Sequence, residues 1–262
     1  MLPNAGKGIS FLFNPDFSKV NSDVFLGAFG QSFYSLSLGM GCLCTYASYF
    51  SRQTNMSKAA VQISVIDTVV AVLAGLMIFP AAFSVGINPD SGPSLIFITL
   101  PNVFQQAFSG IPVVGYIISL LFYALLALAA LTSLISLHEV CTSFLSEEMH
   151  LTRKKAALIV TISCSVIGAI CSLSLGKWSG LSMFGKSLFD IFDFVTGQLF
   201  LPICGFLTCL FVGWYLPHKL VRDEFTNWGT LRGKFFHMYL VCIKYVCPIC
   251  ILLIFFHQFG LI

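Results

Sequence analysis

The stretch GQSFYSLSLGMG, Gly30 to Gly41, lies in the middle of an apolar run from about Val24 to Phe50. A run of that length crosses a bilayer as one helix. Its centre nevertheless carries Ser32, Ser35 and Ser37, with Gly30, Gly39 and Gly41 around them. Glycine is a poor helix former, and a backbone group left free at membrane depth costs several kcal/mol unless it lines a protected cavity. Two readings stand. The glycines let another helix pack closely, or the helix is interrupted there so that carbonyls and hydroxyls face a hydrophilic ligand. Freed oxygens of that kind replace the water shell of a small hard cation such as Na⁺, and half-helix N-termini beside a break hold a carboxylate.

The rest of the chain supports a membrane setting for this stretch. Of 262 residues, 57% are hydrophobic and only 10% are charged, far below the roughly 25% charge of an ordinary soluble domain. This is an all-α polytopic membrane protein. The net charge of +3 is too small to imply a nucleic-acid partner. No signal-peptide pattern precedes the first span, and nothing suggests a cofactor. Apolar runs of roughly 20 residues or more place six spans near 24–50, 59–86, 112–145, 155–175, 188–216 and 235–260. One membrane domain, 1–262, is expected, with 1–23 as an extracellular segment and 87–111 as an extracellular cap holding a short helix near 96–107.

Lysine and arginine set the orientation. Loops after the first, third and fifth spans carry nine: Arg52, Lys58, Arg153, Lys154, Lys155, Lys219, Arg222, Arg232 and Lys234. The opposite side carries four: Lys7, Lys19, Lys177 and Lys186. Both termini are therefore expected outside the cytoplasm.

Polar residues recur at matching depths. The first span has Ser35 and Ser37, the second has Asp67, and the third has Thr132, Ser133 and Ser136. An intramembrane carboxylate such as Asp67 costs about 2.5–3.5 kcal/mol on insertion scales and needs a cation, a proton or a donor cluster. Ala129, Ser133 and Leu137 share a helix face, with Thr132 beside them. Isolated hydroxyls in spans also serve as interhelical glue, bonding back to a carbonyl one turn earlier.

Six ordered stretches carry a resemblance: ISFLFNPDFSKV, GQSFYSLSLGMGCLCTYASYF, DTVVAVLAGLMIFPAAF, GPSLIFITLPNVF, ALTSLISLHEV and SLFDIFDFVTG. Together they resemble the second half of the neurotransmitter:sodium symporter family, whose members have the leucine-transporter fold. The resemblance implies transmembrane helices six to eleven: the second inverted repeat plus one extra helix, with the first helix of this chain broken mid-membrane. It implies that Tyr34 closes over the substrate and that Ser35 binds both substrate and sodium. Ser37, Met40, Ser133 and Leu137 would border the substrate. Asp67 would join Ser35 at one sodium ion, and the Ala129 carbonyl with the Thr132 and Ser133 hydroxyls would hold another. Asp193 and Glu147 would be the acids of the outer and inner gates, supported by Gln31 and Tyr49 respectively.

Two departures from the family pattern matter. Asp67 stands where many relatives have Asn, so its fixed charge replaces chloride and transport is expected to be chloride-independent. Met40 stands where some have Phe, which favours large apolar or aromatic amino acids as substrates. Nothing in the chain resembles helices one to five, so a missing N-terminal five-helix half is the expected partner. The expectation is the second half of a sodium-coupled amino-acid symporter, incomplete alone, in a bacterial inner membrane. The alternative is a truncated, non-transporting membrane remnant or interaction subunit.

Other patterns lead elsewhere. Cys247-Pro-Ile-Cys250 has CxxC spacing but no second pair, so packing is the simpler reading. His138-Glu139 is not the HExxH of a metalloprotease. Glu139 is either hydrogen-bonded near the cytoplasmic vestibule or linked to protons. Asp67 and Asp193 belong to opposite ends of different spans, against an aspartyl protease. The chain is not read as an enzyme.

Overall fold

The computed structural model describes residues 4–51, 54–84, 100–175, 187–229, 233 and 235–259. Among them the regular structure is entirely helical, and five helical stretches are long and apolar enough to cross a membrane. These are α4 (Met56–Ser84), α6 (Pro112–Glu148), α7 (Arg153–Leu175), and two composite helices over Leu188–Tyr215 and Phe236–Gln258. They coincide with the expected spans from 59 onward. The first expected span, 24–50, is occupied by two shorter helices, α2 (Ser22–Ser35) and α3 (Cys42–Ser48), with turns between them. Arg52, Lys177, Lys186, Arg232, Lys234 and the first part of the cap, 87–99, with most of the GPSLIFITLPNVF stretch, lie outside the described residues.

The composite helices owe their irregularity to proline. Leu188–Tyr215 runs through α8 (Leu188–Asp193), a π-helical stretch Phe194–Phe200, α9 (Leu201–Leu210) and a second π stretch, Phe211–Tyr215. After α10 (His218–Phe225), the last span runs through α11 (Phe236–Val241), a π stretch Cys242–Val246 and α12 (Cys247–Gln258). Each π stretch stops two residues short of a proline: Pro202, Pro217 and Pro248. Proline lacks an N–H, and its ring crowds the carbonyl four residues back. Widening the preceding turn by one residue removes that clash without ending the helix.

The chain divides into two compact units, residues 1–20 with 62–133 and residues 21–61 with 134–262. In the first, α1 (Ala5–Phe13) lies along the end of α4. Gly8 sits so close to the backbone of Phe79 and Pro80 that no Cβ fits there. Leu12 covers Gly75, and Phe11 packs on Phe79 and Phe83 with centroids 5.2 and 5.5 Å apart. The short helix α5 (Leu100–Ala107) buries Leu100 and Val103 and sets Phe104 against Phe122 of α6. Beyond α1, the Ser18 amide and hydroxyl both donate to Asp16, which holds that carboxyl below the usual range.

In the second unit the core sits where α9 meets α12, around buried Leu201, Pro202, Gly205, Pro248, Ile251 and Ile254. Asn21 caps α2 by accepting from the Val24 amide at 2.9 Å. Ser187 and Asp190 form a reciprocal capping box that starts α8. Between α6 and α7, His138 reaches Thr161 at 3.0 Å through Nε2 and Thr142 at 3.1 Å through Nδ1. Nε2 thus ties α6 to α7, while Nδ1 bonds within α6.

Candidate functional site

The region 36–41 is built by a definite C-cap. The Leu38 amide donates to the Phe33 carbonyl at 3.1 Å and the Ser37 amide to the Tyr34 carbonyl at 3.0 Å. This paired pattern is the Schellman motif, which requires a left-handed residue at its turn. Glycine usually takes that place, but here it is Ser37, with φ of 52°. An L-residue there costs about 1–2 kcal/mol, so a side chain has been kept where the backbone disfavours one. Gly39 (φ 83°) and Gly41 (φ 81°) continue the turn, and the Gly41 carbonyl accepts the Thr45 amide at 2.9 Å to start α3.

Gly39 serves a second purpose. A Cβ there would lie 2.5 Å from the Leu201 carbonyl oxygen and 3.1 Å from the Gly205 amide nitrogen. The turn therefore rests directly on the backbone of α9. Close packing and helix interruption, the two readings of these glycines, occur at the same residue.

On one side of α2, Gln31 and Tyr34 line a cavity of about 620 Å³ together with Asp193, Gln198, His257 and Gln258. The resemblance assigns Gln31 and Asp193 to the outer gate and Tyr34 to the substrate lid, and all three line this one cavity. His257 Nε2 lies 3.6 Å from Asp23 Oδ1, joining the end of α12 to the start of α2. A second, largely apolar cavity of about 550 Å³ is lined by Phe29, Leu36, Ser37, Thr208, Cys247 and Ile251, among others. Met40 is half-buried and Leu137 exposed, and neither lines the two cavities just described.

A polar cluster lies past the end of α3. Tyr49 Oη donates to Glu139 Oε1 at 2.7 Å, Ser143 donates to the same oxygen at 3.3 Å, and Arg153 Nη2 pairs with it as well. One turn further into α6, Tyr46 Oη donates to Ser136. Tyr49 thus meets Glu139, while Glu147, the acid expected at the inner gate, is exposed. Glu139 and Arg153 were missing from the site expected from the sequence. The available signal was Glu139 itself, an acid within an apolar helix that needs a cation.

The first unit holds the remaining candidates. Asp67 is half-buried on α4. On α6, the Ala129 carbonyl accepts from Thr132 Oγ1 at 2.8 Å and from Ser133 Oγ at 3.2 Å. The two hydroxyls read as sodium ligands are therefore gathered on that carbonyl, which is the third ligand oxygen in the same reading. The same bonds are the back-bonding of hydroxyls in spans. Ser35, Ser37, Met40 and Leu137 belong to the other unit.

The model of the sodium:neurotransmitter symporter family matches residues 1–261. An uncharacterized sodium-dependent transporter of Haemophilus influenzae is 36% identical over 97% of this chain and 54% of its own length. The uncharacterized sodium-dependent transporter YhdH of Bacillus subtilis is 32% identical over 100% of this chain and 57% of its own. The crystal structure of MhsT in complex with L-phenylalanine is similar with a TM-score of 0.85 and 36% identity, over 97% of this chain and 56% of that one. The chain spans about half the length of the curated relatives it matches. By the family match along nearly its whole length, this multi-pass membrane chain belongs to the sodium:neurotransmitter symporter family.

Proposed function

We propose that this chain supplies helices six to eleven of a sodium-coupled amino-acid symporter that works by alternating access, with a five-helix N-terminal half as its partner. The observation that carries the reading is the turn at 36–41, where Ser37 holds a left-handed backbone and α2 gives way to α3. In a span, such a turn frees carbonyls and amides for a ligand that has shed its water. Tyr34 covers the substrate, Ser35 binds substrate and sodium, and Ser37, Met40, Ser133 and Leu137 border the side chain. Asp67 contributes a sodium ligand, as do Ala129, Thr132 and Ser133. When sodium arrives, the Thr132 and Ser133 hydroxyls turn their protons away from the Ala129 carbonyl and offer lone pairs. Gln31 and Asp193 serve the outer gate and Tyr49 and Glu147 the inner one, with Glu139 as the acid that Tyr49 contacts. The phenylalanine bound to MhsT supports a large apolar or aromatic substrate.

Uptake of labelled phenylalanine by a full-length polypeptide that contains this chain tests the reading. Uptake should require sodium, and Ser133→Ala or Asp67→Ala should each weaken apparent sodium affinity by about tenfold, the loss of one good ligand oxygen. Unchanged sodium dependence in both variants would remove the site assignment. Because Asp67 supplies a fixed negative charge, replacing chloride by gluconate should leave uptake within about twofold, well below the cost of an unbalanced buried charge. A collapse of uptake in gluconate would overturn chloride independence.

A further inference from the structure

The last helical hairpin carries a basic pair that the transport reading does not use. Lys244 lies eight residues into the apolar stretch Phe236–Gln258, a rise of about 12 Å from its start. Its stem runs back toward that start across Gly213, where a Cβ would sit 3.1 Å from Lys244 Cγ. The ammonium then reaches 2.8 Å from His218 Nε2, at the beginning of α10, and 5.3 Å from the centre of the Trp214 ring. Trp214 in turn donates its indole N–H to the Lys244 carbonyl at 3.3 Å. Gly213, Trp214 and His218 thus form a seat that draws one lysine out of the apolar layer to its edge, as snorkelling requires.

Basic residues lead at this end of α10. Lys219 and Arg222 follow His218 on α10, with Asp223 and Glu224 further along the helix. Among the described residues no carboxylate pairs with Lys244 or His218. Trp214, Tyr215 and Tyr245 are each more than half exposed around the pair, an arrangement typical of side chains at headgroup level. A lone ammonium donating to an imidazole leaves its remaining protons, and its full charge, for an anion.

We propose that the end of this hairpin binds the phosphate of an anionic phospholipid, held by Lys244 and His218, with its acyl chains along the exposed aromatic face. Charge complementarity selects the headgroup, and the apolar surface selects a lipid over a free ion. The inference needs only that the hairpin spans a bilayer. It stands or falls independently of transport.

The test reconstitutes the full chain in phosphatidylcholine bilayers containing spin-labelled phosphatidylglycerol or spin-labelled phosphatidylcholine, and reads the motionally restricted fraction of each. Phosphatidylglycerol should be preferred by about fivefold, the scale of one basic side chain at a membrane surface. Lys244→Met with His218→Gln should abolish the preference. Removing a charge from an apolar helix eases insertion, so a folding failure is not expected to mimic this loss. Lys244→Arg should keep the preference, and so should the control Lys154→Gln with Lys155→Gln in the exposed first turn of α7. Equal retention of the two lipids, a preference that survives the double variant, or displacement of the labelled lipid by excess inorganic phosphate would each overturn the proposal.

Discussion

Replacing Gly39 with alanine is expected to destabilise the chain by about 3 kcal/mol, from a left-handed backbone cost of about 1–2 and an overpacking cost of similar size. The backbone cost arises from a φ of 83°. The packing cost arises because the new methyl would meet main-chain atoms of Leu201 and Gly205, which cannot swing aside as a side chain can. Two comparisons isolate the terms. At Gly41 (φ 81°) the nearest atom to a Cβ is Val140 Cγ1 at 3.2 Å, so Gly41→Ala should cost mainly the backbone term. At Gly205 the obstacle is the outer edge of the Phe33 ring, which can rotate. Thermal unfolding in detergent should therefore rank Gly39→Ala as the most damaging of the three. An equal loss at Gly39 and Gly41 would mean that the turn does not rest on α9.

The second large effect is expected at Glu139. Its carboxylate receives Tyr49, Ser143 and Arg153, and the side chain is only 20% exposed. Glu139→Ala removes a charged acceptor and leaves Tyr49 with only Ser143, 3.2 Å away, at a cost of about 2 kcal/mol. The partners should not share that cost equally. Arg153 is 68% exposed, so water screens its contribution and Arg153→Gln should cost well under 1 kcal/mol. Tyr49 is itself 56% exposed, so Tyr49→Phe should cost about 1 kcal/mol, below the full scale of a hydrogen bond to a charged group. A double-mutant cycle between Tyr49→Phe and Glu139→Gln should show stronger coupling than one between Arg153→Gln and Glu139→Gln. The reverse order would show that the ion pair, and not the phenol, anchors the cluster.

Local pattern revealed the long helices and concealed what joins them. The spans from 59 onward could be placed because continuous apolar runs have a length that only a bilayer crossing uses. Serines and glycines inside such a run left two readings of 36–41, close packing and interruption. By contrast, α1 is too short and glycine-rich to announce itself, and its place follows from Gly8 meeting Pro80. The link from Tyr49 to Glu139 joins positions 90 residues apart, which no local spacing encodes. Family resemblance pointed instead to Glu147, an exposed acid two turns further along the same helix. The prolines at 202, 217 and 248 were in plain view, but their effect depends on a carbonyl clash that a constant helical pitch ignores.

That change of pitch has a practical consequence for Asp193. A π stretch holds one more residue than the α turn it replaces, so everything beyond it is rotated by about 100° relative to an ideal screw. The aspartate stands just before Phe194–Phe200, and α9 follows it. Helical-wheel diagrams drawn across 188–210 will therefore assign the wrong face to one half or the other. Deleting a single residue from 194–200 would restore the thread and turn Asp193 away from the cavity while leaving every remaining side chain in the span chemically unchanged.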